Sequence, residues 1–104
     1  MIARYWSGAV PASRGDDYQR YLERTGIRDI QATPGNRGVY VLRRTEGDRT
    51  EFVFVSLWDS LDAIRAFAGG DVEKAHYYAE DRDFLLEMSP RVKHYEVVAA
   101  PQSR

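Results

Sequence analysis

The stretch from Arg49 to Trp58 reads as a strand with two apolar faces, and this limits what the chain can build. Val53, Val55 and Leu57 alternate with Phe52, Phe54 and Trp58, and only Ser56 interrupts the second row. A strand with one wet face shows apolar residues on one side and polar ones on the other. Here neither side suits water. If Val53, Val55 and Leu57 pack under helices, Phe52, Phe54 and Trp58 point the opposite way, where burying each ring contributes roughly 2–3 kcal/mol. An exposed patch of that kind marks an interface. A second copy stacked face to face about a two-fold axis would cover it, making a homodimer through the open sheet face. The plainer alternative is that the connection from Asp71 to Met88 folds across the open face of a single chain.

The flanking sequence supplies the other elements. Ile2 to Ser7 alternates as a strand, with Ile2, Arg4 and Trp6 on one face and Ala3, Tyr5 and Ser7 on the other. Ser13 has the character of a helix N-cap, and Asp16 and Asp17 favour the positive end of the helix dipole. The helix expected from Arg14 to Arg24 carries Tyr18, Tyr21 and Leu22 on one stripe and ends at Gly26. After a turn at Pro34-Gly35-Asn36, Gly38 to Arg44 forms a second strand, and Glu46-Gly47-Asp48 connects it to the third. Asp59 or Ser60 caps a second helix, Leu61 to Ala68, with Leu61, Ile64 and Phe67 on its apolar stripe; Gly69-Gly70 stops it. Between Asp71 and Met88 short helical turns are expected around Val72–Ala75 and Asp83–Leu86, followed by a last strand, Val92 to Ala99. The order strand, helix, strand, strand, helix, strand gives an α+β fold, the ferredoxin-like βαββαβ arrangement. Its antiparallel four-stranded sheet carries both helices on one face.

Composition narrows the class of function. A chain of 104 residues suits one domain, expected over residues 1–100, with residues 101–104 as a frayed tail. The formal charge is −1 with acids and bases interspersed, so there is no basic stripe for nucleic acid. Cysteine is absent, which excludes disulfides, thiolate metal ligands and cysteine nucleophiles. No segment approaches the roughly 20 apolar residues of a membrane span. The opening residues lack the basic-then-apolar pattern of a signal peptide, so a cytoplasmic location is expected. Seven Tyr, four Phe and two Trp suit a core, an interface or an aromatic ligand site.

Several runs resemble the antibiotic-biosynthesis-monooxygenase-like family: Met1-Ile2-Ala3-Arg4 with Trp6, Pro34-Gly35-Asn36-Arg37-Gly38, Leu57-Trp58-Asp59-Ser60-Leu61 with Ala66-Phe67-Ala68-Gly69, and Val92-Lys93-His94-Tyr95-Glu96-Val97. The resemblance runs from residue 1 to about 98 and implies a dimeric α+β barrel. The family includes cofactor-independent monooxygenases that oxidise polyketide phenols, and haem-degrading enzymes. The haem-degrading branch uses an Asn on the first strand, a Trp late in the second helix and a haem-ligating His soon after. This chain has Trp6 and Ser7, then Phe67, and His76 near the ligand position. Two of three matches fail, so haem cleavage is not expected. The polyketide-oxidising branch also uses an Asn beside its aromatic residues, and the chain's one Asn, Asn36, lies in a turn.

Turning the aromatic face of the third strand into such a barrel brings together Trp6, Phe54 and Trp58 with Arg4, His94 and Ser56, an aromatic cavity suited to a small planar ligand. His94 is the candidate acid–base group, because imidazole titrates near neutral pH. Arg4 would hold a phenolate or enolate by charge-assisted hydrogen bonds. Removing a phenolic proton leaves an electron-rich ring able to react directly with dioxygen, so no cofactor is expected. The structural alternatives are a His94 bonded to a neighbouring strand or to Glu96, an Arg4 paired across the dimer, and tryptophans that merely pack. Glu73, His76 and Glu80 could share a helical face, but no second ligand-bearing segment is visible, so no metal is expected. Tyr77 and Tyr78 are expected to cover the barrel mouth. The functional expectation is a cofactor-independent monooxygenase acting on a small aromatic or polyketide-like compound. Its alternative is a non-catalytic ligand-binding or stress-related barrel protein.

Overall fold

The order of elements follows the alternation of ring-rich strands and capped helices along the chain. The computed structural model describes residues 1–101; of the tail expected to fray, residues 102–104 lie outside the described residues. Strand β1 spans Ile2–Pro11, helices α1 and α2 span Gly15–Arg24 and Gly26–Ala32, and strands β2 and β3 span Asn36–Glu46 and Arg49–Trp58. Helix α3 spans Leu61–Ala68, a single turn α4 Asp81–Phe84, and strand β4 Lys93–Glu96. The strands form one antiparallel sheet in the order β2-β3-β1-β4, as the ferredoxin-like arrangement requires. The register sets Arg4 opposite Ser56 on β3 and opposite His94 on β4.

The expected pairing of faces is reversed. Phe52, Phe54, Ser56 and Trp58 lie beneath the chain's own helices, with Phe52 and Trp58 1% and 0% exposed. Val53, Val55 and Leu57 are the residues left half-buried on the open face. Ring packing explains the choice. Tyr18 of α1 stacks on Tyr21 at 5.8 Å and meets Phe52 edge-on at 5.2 Å, while Trp58 lies 6.0 Å from Phe67 of α3. These rings fill the space between helices and sheet.

Smaller departures have local causes. Ser13 does not cap α1, which starts at Gly15 after a 3-10 turn and has no side-chain cap. At Gly15 the helix start presses on the sheet: a Cβ there would sit 2.7 Å from an Arg43 nitrogen and 3.2 Å from Thr50 Oγ1. Gly26 opens α2 rather than ending the helical region. The break falls at Thr25, whose hydroxyl donates to the Tyr21 carbonyl at 2.8 Å. Helix α3 keeps its predicted bounds, with Ser60 Oγ accepting from the Ala63 N–H at 3.2 Å and Gly69 at φ 92° ending it.

The long connection 69–92 forms a strap that keeps one of the two expected helical turns. Lys74 bridges to Arg91, the Ala75 N–H donates to the Pro90 carbonyl, and the Val92 N–H donates to the Glu73 carbonyl. The Leu86 N–H donates to the Ala9 carbonyl, tying the strap to β1. Only α4, slightly ahead of its expected place, is helical within it.

Candidate functional site

Between the ring-bearing face of the sheet, helices α1 and α2 and the strap lies a solvent-open cleft with a cavity volume of about 50 Å³. Four of the six residues expected to share a pocket line it: Arg4, Trp6, Phe54 and Ser56. Their strands place them there, because even-numbered residues of β1 and β3 share the face beneath the helices. Trp6 and Phe54 meet edge to face at 5.5 Å, and the Trp6 indole N–H donates to the Tyr77 hydroxyl at 3.1 Å. The cleft thus lies within one chain, under its own helices. It is not enclosed between two stacked sheets, as the barrel argument had placed it.

Arg4 is 4% exposed and its donors are largely engaged. It donates to the Val72 carbonyl at 2.5 Å and the Lys74 carbonyl at 2.9 Å, holding the strap against β1. Burial lowers its pKa to about 10, so it stays cationic at neutral pH. His94 is not among the lining residues. Its Nε2 lies 3.2 Å from Arg4 Nη1. Arginine only donates, so Nε2 accepts and the ring proton sits on Nδ1. Burial and the Arg4 charge lower the His94 pKa and favour this neutral form. Neither Arg4 nor His94 pairs with Glu96 among the described residues. Trp58 is also absent from the cleft wall. Its indole N–H donates to Ser56 Oγ at 2.8 Å from a fully buried position.

Other groups come to the cleft from regions that strand alternation does not index. His76, weighed in sequence as a haem ligand and as a metal ligand, reaches the cleft from the strap between Phe67 and Tyr78, with ring centroids 4.7 and 5.0 Å away. Among the described residues its ring nitrogens make no hydrogen bond. Burial and the Arg4 charge lower its pKa, leaving it neutral at pH 7. No cluster of three metal-ligating side chains forms among the described residues. Tyr78 donates to an Asp29 carboxylate oxygen on α2 at 2.5 Å, and Tyr77 donates to the Ser89 carbonyl at 2.6 Å, so the two tyrosines brace the mouth from opposite sides. Asp81, 4% exposed, accepts from the Tyr18 hydroxyl at 3.0 Å and the Tyr78 N–H at 2.7 Å, and burial raises its pKa. The one sequence signal for this group was the run His76-Tyr77-Tyr78 followed by Asp81 in an otherwise polar connection.

Residues 10–77 match the model of the antibiotic biosynthesis monooxygenase family. The chain belongs to this family. Solved structures share its fold. A protein from Nitrosomonas europaea assigned to the antibiotic biosynthesis monooxygenases superposes with a TM-score of 0.69 at 16% identity, covering 95% of this chain and 100% of the other. The haem-degrader MhuD of Mycobacterium tuberculosis, solved with two haems bound in its active site, gives a TM-score of 0.64 at 22% identity. That alignment covers 98% of this chain and 100% of MhuD. A point mutant of MhuD with two manganese protoporphyrins per active site gives 0.67 at 23% identity, over 99% of this chain and 100% of the other. No curated protein matches the chain. As a family member it has a monooxygenase-like character. No helix among its described residues is long and apolar enough to cross a membrane.

Proposed function

We propose that this antibiotic biosynthesis monooxygenase family member oxygenates a small planar phenol in the cleft without a bound cofactor. The observation that carries the reading is an aromatic cleft whose ionisable ring at the mouth, His76, has no competing hydrogen bond. A phenol lying between Trp6, Phe54 and Phe67 loses its hydroxyl proton to neutral His76. The ring then carries the electron density that dioxygen requires. The balance is phenol plus dioxygen giving quinone plus water, with the ring C–H and O–H hydrogens leaving in the water. The acid–base task assigned from sequence to His94 passes to His76 in this reading, because His94 has its Nε2 turned to Arg4. Arg4 and His94 position the strap that carries His76, and Ser56 closes the floor.

Dioxygen uptake with a panel of hydroxylated naphthalenes and anthracenes tests this. His76→Ala is expected to lower the rate by about 10²-fold or more, the usual worth of a general base. An unchanged rate removes His76 from the mechanism, and no uptake with any phenol removes the reaction.

A second reading is favoured by the same histidine. His76, an unengaged imidazole on a ring-lined cleft, would hold the iron of a bound haem, and MhuD, of similar fold, was solved with two haems bound. Bound haem would supply dioxygen activation. This chain would contribute the His76 nitrogen and the aromatic walls, with Trp6 and Phe67 where the haem-degrading branch has Asn and Trp. A haem titration decides: a strong Soret shift that disappears in His76→Ala favours this reading over the cofactor-free one.

The dimer belongs to the proposal with its faces exchanged. Tyr40, Leu42 and Tyr95, each more than half exposed, surround half-buried Val53, Val55 and Leu57 on the open sheet face, and a second copy covers them. The cytoplasmic location expected from the sequence is part of the same proposal.

A further inference from the structure

The cleft contains a buried charge that the proposed oxidation does not use. Asp81 is 4% exposed, lines the cleft, and forms no ion pair among the described residues. Arg4, the other buried charge of the wall, is committed to the Val72 and Lys74 carbonyls and to His94. An ionised carboxylate has about four acceptor sites. Asp81 has one bond at each oxygen, from the Tyr18 hydroxyl and from the Tyr78 N–H, so two sites stay available. Those two bonds do not by themselves call for a charge. An Asn would accept from the Tyr78 N–H and donate to the Tyr18 oxygen with the same shape, and without the desolvation that burying a carboxylate entails.

We propose that Asp81 is the recognition group of the cleft for an aromatic ligand bearing a hydrogen-bond donor, an aryl-methylammonium or similar cation most of all. The inference rests on the reading of the cleft as a ligand site, and it specifies the substrate class: a planar ring with a donor or cationic substituent aimed toward α4. The groups around the carboxylate fit such an arrangement. Tyr18 and Tyr21 come from α1, Tyr78, Tyr77, His76 and Glu80 from the strap, and none of them is a fixed cation at neutral pH. The ligand supplies the missing positive charge, while Trp6 and Phe54 hold its ring.

The test is calorimetric binding of three unreactive probes to the full chain at pH 7.5: 2-naphthylmethylammonium, 2-naphthylmethanol and 2-naphthoate. The ammonium is expected to bind about tenfold or more tighter than the alcohol, as a charge-assisted bond to a buried carboxylate implies, with the naphthoate weakest. Asp81→Asn should bring the ammonium to the affinity of the alcohol. Equal affinities for ammonium and alcohol, or a preference that survives Asp81→Asn, overturn the inference while the cleft stands. Failure of all three probes removes the cleft reading and this inference with it. Should Asp81→Asn fail to fold, Tyr18→Phe, which keeps the carboxylate and frees one of its acceptor sites, must preserve or enlarge the ammonium preference; its loss there is equally decisive.

Discussion

The two faces of one sheet differ more than the near-identical hydrophobicity of their residues implies. On the covered face, Phe52, Phe54 and Trp58 are shut beneath helices, and the same row carries Arg4, Trp6 and Ser56 into the cleft. On the open face, Val53, Val55 and Leu57 stay partly accessible among Tyr40, Leu42 and Tyr95. Ring volume decides between them. The covered face has to fill the space below α1 and its tyrosines and still leave a cleft, whereas a partner sheet can lie close against short aliphatic side chains.

Truncations on the two faces break this comparison most sharply. Phe52→Ala is expected to lower stability by about 3–5 kcal/mol, because Tyr18 packs against the ring and cannot refill its volume. Leu42→Ala on the open face, where the side chain is 53% exposed, is expected to change the stability of the isolated chain by about 0.5 kcal/mol or less. Urea denaturation at low protein concentration checks both, and equal losses would mean that the faces have been assigned wrongly. Arg4→Met comes next. It leaves the Val72 and Lys74 carbonyls without their donors, at about 1–3 kcal/mol for each that stays buried. Hydrogen exchange should also quicken at the Ala75 and Val92 amides, whose bonds close the strap.

Alternation made the membership of each row legible from sequence, since a period of two settles which residues share a side. It could not tell which row met the helices, because both are apolar. Arg4, Trp6, Phe54 and Ser56 stayed together as a cleft wall when the face was exchanged, for they belong to one row however the sheet is turned. Trp58 and His94 share that side yet fall outside the cleft, one sealed against Ser56 and Phe67 and the other turned to Arg4. His76 and Asp81 escaped because the strap has no periodicity. Its path is dictated by long-range bonds such as Arg4 to Val72 and Tyr18 to Asp81, and no local pattern announces them. Helix α2 was missed for a related reason: a seven-residue helix with only Gly26 and Ile30 buried carries too short a stripe to register.

A charge placed on the open face tests what covers it. Val55→Asp is expected to turn a dimer into a folded monomer in analytical ultracentrifugation, with far-ultraviolet circular dichroism unchanged. The same substitution at Phe54, beneath the helices, should unfold the chain instead. A parent protein that sediments as a monomer at all concentrations would leave the open face without the second copy proposed for it.

A smaller effect than the losses at Phe52 and Arg4 is expected at the bond that joins the covered face to the strap. His94 accepts from Arg4 only while it is neutral, and burial together with the Arg4 charge lowers its pKa, against a weaker opposing pull from Glu73. A histidine whose folded pKa lies below its unfolded value of about 6.5 contributes stability that is present in full above that value. The contribution drains away as pH falls toward the folded pKa, because the unfolded chain takes up the proton first. Protonation would also set two cations 3.2 Å apart and free Arg4 Nη1 from one of its partners. Gln at position 94 can accept from Arg4 without titrating, so His94→Gln should flatten the fall of melting temperature between pH 7 and pH 5. His76 also has a lowered pKa, but it is present in both proteins and cancels in the difference. The half-buried ring limits that difference to about 1 kcal/mol. Parallel melting curves for parent and variant across this range would mean that the Arg4–His94 contact does not hold the imidazole neutral, and that the carbonyls of Val72 and Lys74 alone hold Arg4 in place.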